Sequence, residues 1–262
     1  MSKDKIYIIS DLEGVAGVVS KDQLGPEGQE YEIARSYLTK EINAAIEACV
    51  ESNIMDITVL DGHGHPRGYN IDLTLADDRA EYVIGSDRSS TLPFLDNSFD
   101  AVFLIGYHAM AGTKNAVWSH TQSWELIKSY KVNGKLIGEI GQMALIAGAF
   151  DLPIVLVTGD KAAIIEAEAT IPKIIGVEVK EGDSRYCAKT VTPGKAQFLI
   201  KQGALKALKI IDLIKPIKID YPCEIEIVVS DINYADELEE FGMKRIDDFK
   251  LSKIGKSFHD IP

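Results

Sequence analysis

Asp11 and Glu13 stand two residues apart, so in an extended chain both carboxylates leave the backbone on the same side. Such a pair suits a hard or borderline divalent cation. Zinc takes imidazole nitrogen and carboxylate oxygen, and a second ion close by needs an anionic ligand that can bridge, a role natural to Asp or Glu. Of the five histidines, His63, His108 and His120 lie at or after stretches that read as strand ends, where loops of open α/β sheets collect ligand-binding groups. His63 sits in Asp61-Gly-His-Gly-His65, a glycine-relieved turn in which the chain can pass close to a metal. His65 could compete with it, but His63 is nearer the strand end and better held. His108, in Gly106-Tyr-His-Ala109, repeats the same logic. His120 ends the polar stretch Gly112-Thr-Lys-Asn-Ala-Val-Trp-Ser-His120, a loop fit to overhang a site, where an imidazole would transfer protons or form a covalent bond. Glu139 lies among Ile137, Gly138, Ile140 and Gly141, a setting in which a carboxylate needs a partner cation. Taken singly, each has a plainer reading: an acidic turn, a hydrogen-bonded structural histidine, a helix of small residues packed closely. Asp160 is fully explained as the N-cap of a following helix.

The elements that must carry these residues are legible from periodicity. Lys5-Ile-Tyr-Ile-Ile-Ser10 reads as a central strand, residues from about 30 to 52 repeat apolar positions at helical spacing, and Asp56-Ile-Thr-Val-Leu60 is a second apolar run. That is a βαβ unit, the mark of a parallel sheet. Ala101-Val-Phe-Leu-Ile-Gly106 and Ile154-Val-Leu-Val-Thr158 continue the pattern, so four strands end in chemistry. Asn133-Gly134 between alternating residues predicts a hairpin just before Glu139. Beyond it the pattern predicts an αβα continuation: helices near 161–169, 194–213 and 235–243, and a strand at 224–229. The expected fold class is α/β, a mostly parallel central sheet with flanking helices, with room for a smaller additional subdomain. One domain is expected over residues 1–262, with the part from about 200 to 262 taking part in assembly.

At 262 residues with 46% hydrophobic and 26% charged side chains, the chain can bury a substantial core without staples. A net charge of -12 would repel a phosphate backbone or an anionic membrane surface, which argues against nucleic acid as a partner. No apolar run approaches membrane-spanning length, and the first residues lack a signal-peptide pattern. Cys49, Cys187 and Cys223 form no Cys-x-x-Cys pair and read as small buried hydrophobes in a reducing, cytoplasmic protein.

Together the site residues resemble the D-aminopeptidase family typified by the enzyme of the bacterial dipeptide-transport operon. Its Ser-x-Asp-x-Glu-Gly appears as Ser10-Asp11-Leu12-Glu13-Gly14, and its Asp-small-His as Asp61-Gly62-His63. Gly106-Tyr107-His108-Ala109, Ser119-His120 and Gly138-Glu139-Ile140-Gly141 follow in the family's order, covering roughly residues 6 to 160. The resemblance implies an aminopeptidase acting on small peptides with D-amino-acid preference. It implies two zinc ions per subunit held by Asp11 as bridge, Glu13, His63, His108 and Glu139, with His120 as the catalytic residue. It further implies a homo-oligomer, a self-compartmentalising ring decamer. The run Gly64-His-Pro-Arg-Gly-Tyr-Asn70 departs from the family pattern, and no motif matches beyond about residue 200. The rivals are another dinuclear-metal hydrolase such as a phosphoesterase, and a non-catalytic binder of peptide or metal; the absence of a phosphate-cradling P-loop mildly favours the peptidase over the former. A nucleotide-binding oxidoreductase would need a Gly-x-Gly-x-x-Gly after the first strand, which is missing.

Overall fold

A computed structural model describes residues 3–64 and 69–260. The first part runs β1 (Lys5–Ser10), α1 (Tyr31–Glu51), β2 (Asp56–Asp61), β3 (Glu81–Val83) and β4 (Ala101–Tyr107). The hairpin β5 (Ile127–Val132) and β6 (Lys135–Leu136) leads into α2 (Glu139–Ala149), followed by β7 (Ile154–Asp160), α3 (Lys161–Thr170), β8 (Ile175–Ser184) and β9 (Cys187–Thr190). The chain then forms α4 (Pro193–Leu208), β10 (Cys223–Val229), α5 (Ile232–Glu240), β11 (Lys244–Arg245) and β12 (Lys250–Gly255).

Seven strands make one sheet in the order β3-β2-β1-β4-β7-β8-β9, parallel throughout except for the β8–β9 pair. β4 and β7 are buried along their whole length, which is why their sequences are continuous apolar runs rather than alternating ones. The α/β expectation therefore holds, with α1 packed against α4 and α3 against β7 and β8. A second, antiparallel sheet has the order β11-β12-β10-β5-β6. In its β5–β6 hairpin Asn133 and Gly134 both take positive φ, at 49° and 76°, as a type I′ turn requires.

The helices and the strand expected in the C-terminal part are present as α3, α4, β10 and α5, with β8, β9, β11 and β12 added to them. Residues 223–255 supply β10 and β12, which pair with β5 inside the second sheet. The last long helix stops at Leu208, and a separate helical turn covers Ile211–Leu213. The final helix begins at Ile232, three residues earlier than its periodicity implied, because the Asp231 carboxylate accepts from the Asn233 and Tyr234 amides and caps it there. β8 and β9 were not anticipated; the alternation of Ile175, Val177 and Val179 in β8 is short and gives way to Glu181, Gly182 and Asp183, and β9 has only four residues. Cys49 and Cys223 are buried as expected, but Cys187, on the edge strand β9, is exposed. Among the described residues no helix is long and apolar enough to cross a membrane.

Candidate metal centre

The strand order reverses between β1 and β4: β2 and β3 lie to one side, β4 and β7 to the other. In open α/β sheets ligands bind at the carboxyl ends of strands beside such a reversal. Asp11 directly follows β1 and His108 directly follows β4. The two loops touch because glycine stands at both contacts. Gly14 N–H donates to Gly106 O at 2.7 Å, and a Cβ on Gly14 would fall 2.0 Å from Tyr107 O. Gly106 itself has φ +77°, and a Cβ there would lie 2.1 Å from Asp11 O.

His63 lies two residues beyond β2, where Gly62 N–H donates to Ser10 O at 2.9 Å. Asp61 closes this loop by accepting from the Asn70 amide N–H at 2.6 Å and from Asn70 Nδ2 at 2.8 Å, while the same Nδ2 donates to His63 O at 3.1 Å. His65, the rival ligand, lies outside the described residues. The loop bearing His120 is pinned by Asp160: one carboxylate oxygen accepts from Ala163 N–H, the expected N-cap, and the other from Val117 N–H. Arg185 adds a hydrogen bond to Ser119 O at 2.8 Å. Glu139 opens α2, where the helix N-terminus favours a carboxylate, and its Oε1 accepts from Gln122 N–H at 2.7 Å.

All six predicted residues converge. Their donor atoms form two groups, Asp11, Glu13 and His63 in one and His108, His120 and Glu139 in the other, each within 4.8 Å of one another. Asp11 links the groups: Oδ1 lies 3.0 Å from His63 Nδ1, and Oδ2 lies 3.4 Å from His108 Nε2. His63 Nδ1 is also 2.9 Å from Glu13 Oε2, and His108 Nε2 is 3.5 Å from Glu139 Oε1. His120 Nε2 stands 3.8 Å from Glu139 and 4.0 Å from Glu13.

Every one of the three imidazoles has its far nitrogen on a backbone carbonyl: His63 Nε2 on Leu24 O, His108 Nδ1 on Ala109 O and His120 Nδ1 on Trp118 O, at 2.9, 3.0 and 2.7 Å. A carbonyl only accepts, so those nitrogens carry hydrogen, and the near nitrogens, which face the carboxylates, are the ones that can hold a further proton or give a lone pair to a cation in its place. Metal-ligating histidines are oriented in this way. Asp11 Oδ2, Glu13 Oε2 and His108 Nε2 are buried and without a hydrogen-bond partner, so the donor set fits a cation of the zinc kind.

The electrostatics agree. Burial, reinforced by the Glu13 charge, pushes Asp11 up to about 7. Burial alone would also raise Glu13 and Glu139, but the facing imidazoles outweigh it and hold both below the usual range. Burial opposes charge on His63 and His108, yet the carboxylates win and keep both well above the ordinary imidazole value. His120 goes the other way, lowered by burial and by the charge of His108. Protons are thus holding together acids that a divalent cation would hold in their place.

Residues around the centre that the sequence reading missed include Trp118 and Trp124, whose indoles meet edge to face with centroids 5.9 Å apart in a cavity of about 390 Å³. A second cavity of about 450 Å³ adjoins it at Gly62, His63, Gln122 and Glu139 and is lined by Arg88, Tyr107 and Met143. Buried Glu41 is a third omission, and its signal was available: it shares a helical face with Leu38, Ile42 and Ala45. Lys180 had no such signal.

Carboxylates and imidazoles gathered at the carboxyl ends of the switch-point strands of an α/β sheet are the donor set that a metal-dependent hydrolase needs. The family model described as D-aminopeptidase matches residues 5–261, and the chain belongs to this family of metallopeptidases. It is 30% identical to the D-aminopeptidase of Bacillus subtilis (strain 168) over 214 residues, 81% of this chain and 77% of the relative. The solved structure of the Zn-dependent D-aminopeptidase DppA from Bacillus subtilis, described as a self-compartmentalizing protease, superposes with a TM-score of 0.93 at 26% identity, covering 98% of this chain and 93% of that one.

Proposed function

We propose that Asp11, Glu13, His63, His108 and Glu139 hold two zinc ions per subunit, with Asp11 as the bridge, and that the enzyme removes the N-terminal residue from short peptides or amides with a preference for D-amino acids. The observation that carries this reading is the splayed carboxylate of Asp11, one oxygen toward each imidazole group. Zinc supplies Lewis-acid polarisation of a carbonyl and acidifies water toward a pKa of about 7.

The chain's own part follows from the two adjoining cavities. They leave room for a residue on each side of a scissile bond lying near Glu139 and His63. Trp118 and Trp124 bound the space on one side. His120, held through Nδ1–H by Trp118 O, presents its Nε2 lone pair to the site. There it takes a proton from the attacking group and returns it to the leaving amine, the work of a general base and then acid. Phosphoester hydrolysis is disfavoured by the same lining: apart from Lys21, Arg88 and the imidazoles of the centre itself, the charged groups on these walls are acidic.

The assembly belongs to the same reading. The chain forms one domain over residues 1–262 in a cytoplasmic homo-oligomeric ring, a decamer, with residues from about 200 to 262 contributing contacts. Exposed Phe241, Leu213 and Ile254 in that part supply apolar surface for them. The test is turnover of D-alanyl and L-alanyl amides and dipeptides by purified protein, with and without chelator. Activity confined to the D-series and lost with the metal is expected; full activity without metal would sink the reading, and equal turnover of both series would discard the stereochemical preference alone.

A further inference from the structure

Lys180 is 2% exposed, yet it extends from β8 into the loop that carries Glu13. Its Nζ donates to the backbone oxygens of Glu13, of Val15 at 2.9 Å and of Val18 at 2.6 Å. An ammonium has three N–H donors, and here three carbonyls receive them; a neutral amine would leave one without a donor. The acids facing the lysine are Glu41 on α1, Asp160 at the end of β7, and Asp11 and Glu13 themselves. Residues 11–18 form neither helix nor strand. Their backbone is held by contacts from outside: Gly106 accepts from Gly14 N–H on one side, Glu41 accepts from Ala16 N–H at 2.9 Å, and Thr190 Oγ1 accepts from Gly17 N–H at 3.0 Å. Lys180 is the contact that reaches the backbone of Glu13 itself.

We propose that Lys180 is a positioning residue for the metal centre: by drawing three carbonyls of the Glu13 loop around one ammonium, it sets Glu13, the carboxylate that only one group of donors uses. His63, His108, His120 and Glu139 come from other loops, and Asp11 is tied to β4 by its own N–H on Ile105 O, so they do not depend on it. The inference rests on the two-zinc reading and sharpens it, because the halves of the centre should then be separable. A residue that merely filled space would weaken both halves alike.

The test is zinc titration of metal-free full-length protein, following each equivalent by calorimetry against a competing chromophoric chelator, for wild type, Lys180→Met and Lys180→Gln. The Met variant keeps the unbranched stem without donors; Gln keeps two N–H groups and should fall between. One zinc equivalent should weaken by about 10–100-fold in Lys180→Met, as when an outer-sphere partner of a ligand is lost, with the other unchanged. If Lys180→Met does not fold, the same selective weakening in Lys180→Gln, to a smaller degree, carries the test. Two wild-type affinities in the folded variant, or equal weakening of both equivalents, overturn the inference while leaving the two-zinc reading intact. A wild-type protein that takes up no zinc overturns that reading first.

Discussion

The rings of His108 and His120 stack with centroids 4.0 Å apart and planes 11° apart. Charge on one ring therefore opposes charge on the other, and the lowered pKa of His120 beside the raised one of His108 follows from burial and from that opposition. The arrangement separates two tasks on neighbouring rings. His120→Ala should keep two zinc ions by elemental analysis while turnover falls by about 10²–10⁴-fold, the usual worth of a positioned acid-base group. Loss of one ion instead would make His120 a ligand.

Asp11 contacts both groups of donors, so on the two-zinc reading its charge matters to both ions. Asp11→Asn keeps the shape and one acceptor but removes the anion. Zinc content should fall from two to at most one per chain, and both activity and the metal-dependent rise in thermal stability should fall with it. Glu13→Gln, by contrast, should affect one ion only.

Zinc should displace protons from the metal-free centre, since the imidazoles of His63 and His108 hold them between carboxylates. Calorimetric titrations at pH 7 in buffers of different ionisation enthalpy should show net proton release. Apparent affinity should rise with pH, because ligand protonation competes with the metal.

Gly14 approaches β4 too closely for a side chain, its Cβ position lying 2.0 Å from Tyr107 O. Gly14→Ala must push the Glu13 loop away from His108. The expected loss is on the order of 3 kcal/mol in denaturant unfolding, together with impaired zinc binding. Gly64→Ala, where a Cβ meets nothing within 4 Å among the described residues, is the control that should change stability little.

Burial raises Glu41 from 4.5 to about 7, against the opposing pull of the Ala16 amide and Lys180. An acid whose pKa is higher folded than unfolded contributes stability that is full below 4.5 and is lost as pH rises through about 7. Glu41→Gln keeps an acceptor for Ala16 N–H without the charge. Its stability relative to wild type should therefore climb between pH 5 and pH 8, by an amount on the order of 3 kcal/mol at most. A difference independent of pH would show that Glu41 does not titrate in this window.

Much of this centre was written in local sequence. Asp11, His63 and His108 stand at strand ends, and buried parallel strands announce themselves as unbroken apolar runs such as Ala101–Tyr107. Asn133-Gly134 specified its hairpin because only residues tolerant of positive φ fit that turn. The residue types at these strand ends fixed which chemistry was available. What the tertiary structure decided is how they meet. The antiparallel sheet joins β5 to strands about ninety residues further on, a pairing no local period encodes. The carbonyls behind the three imidazoles select the nitrogens that face the carboxylates, and those carbonyls belong to loops placed by the whole sheet. Lys180 lies 167 residues from Glu13, in a strand where it reads as one charged residue among several. Only folding buries its ammonium, and once water is excluded the charge must find its donors' partners in the backbone of the Glu13 loop.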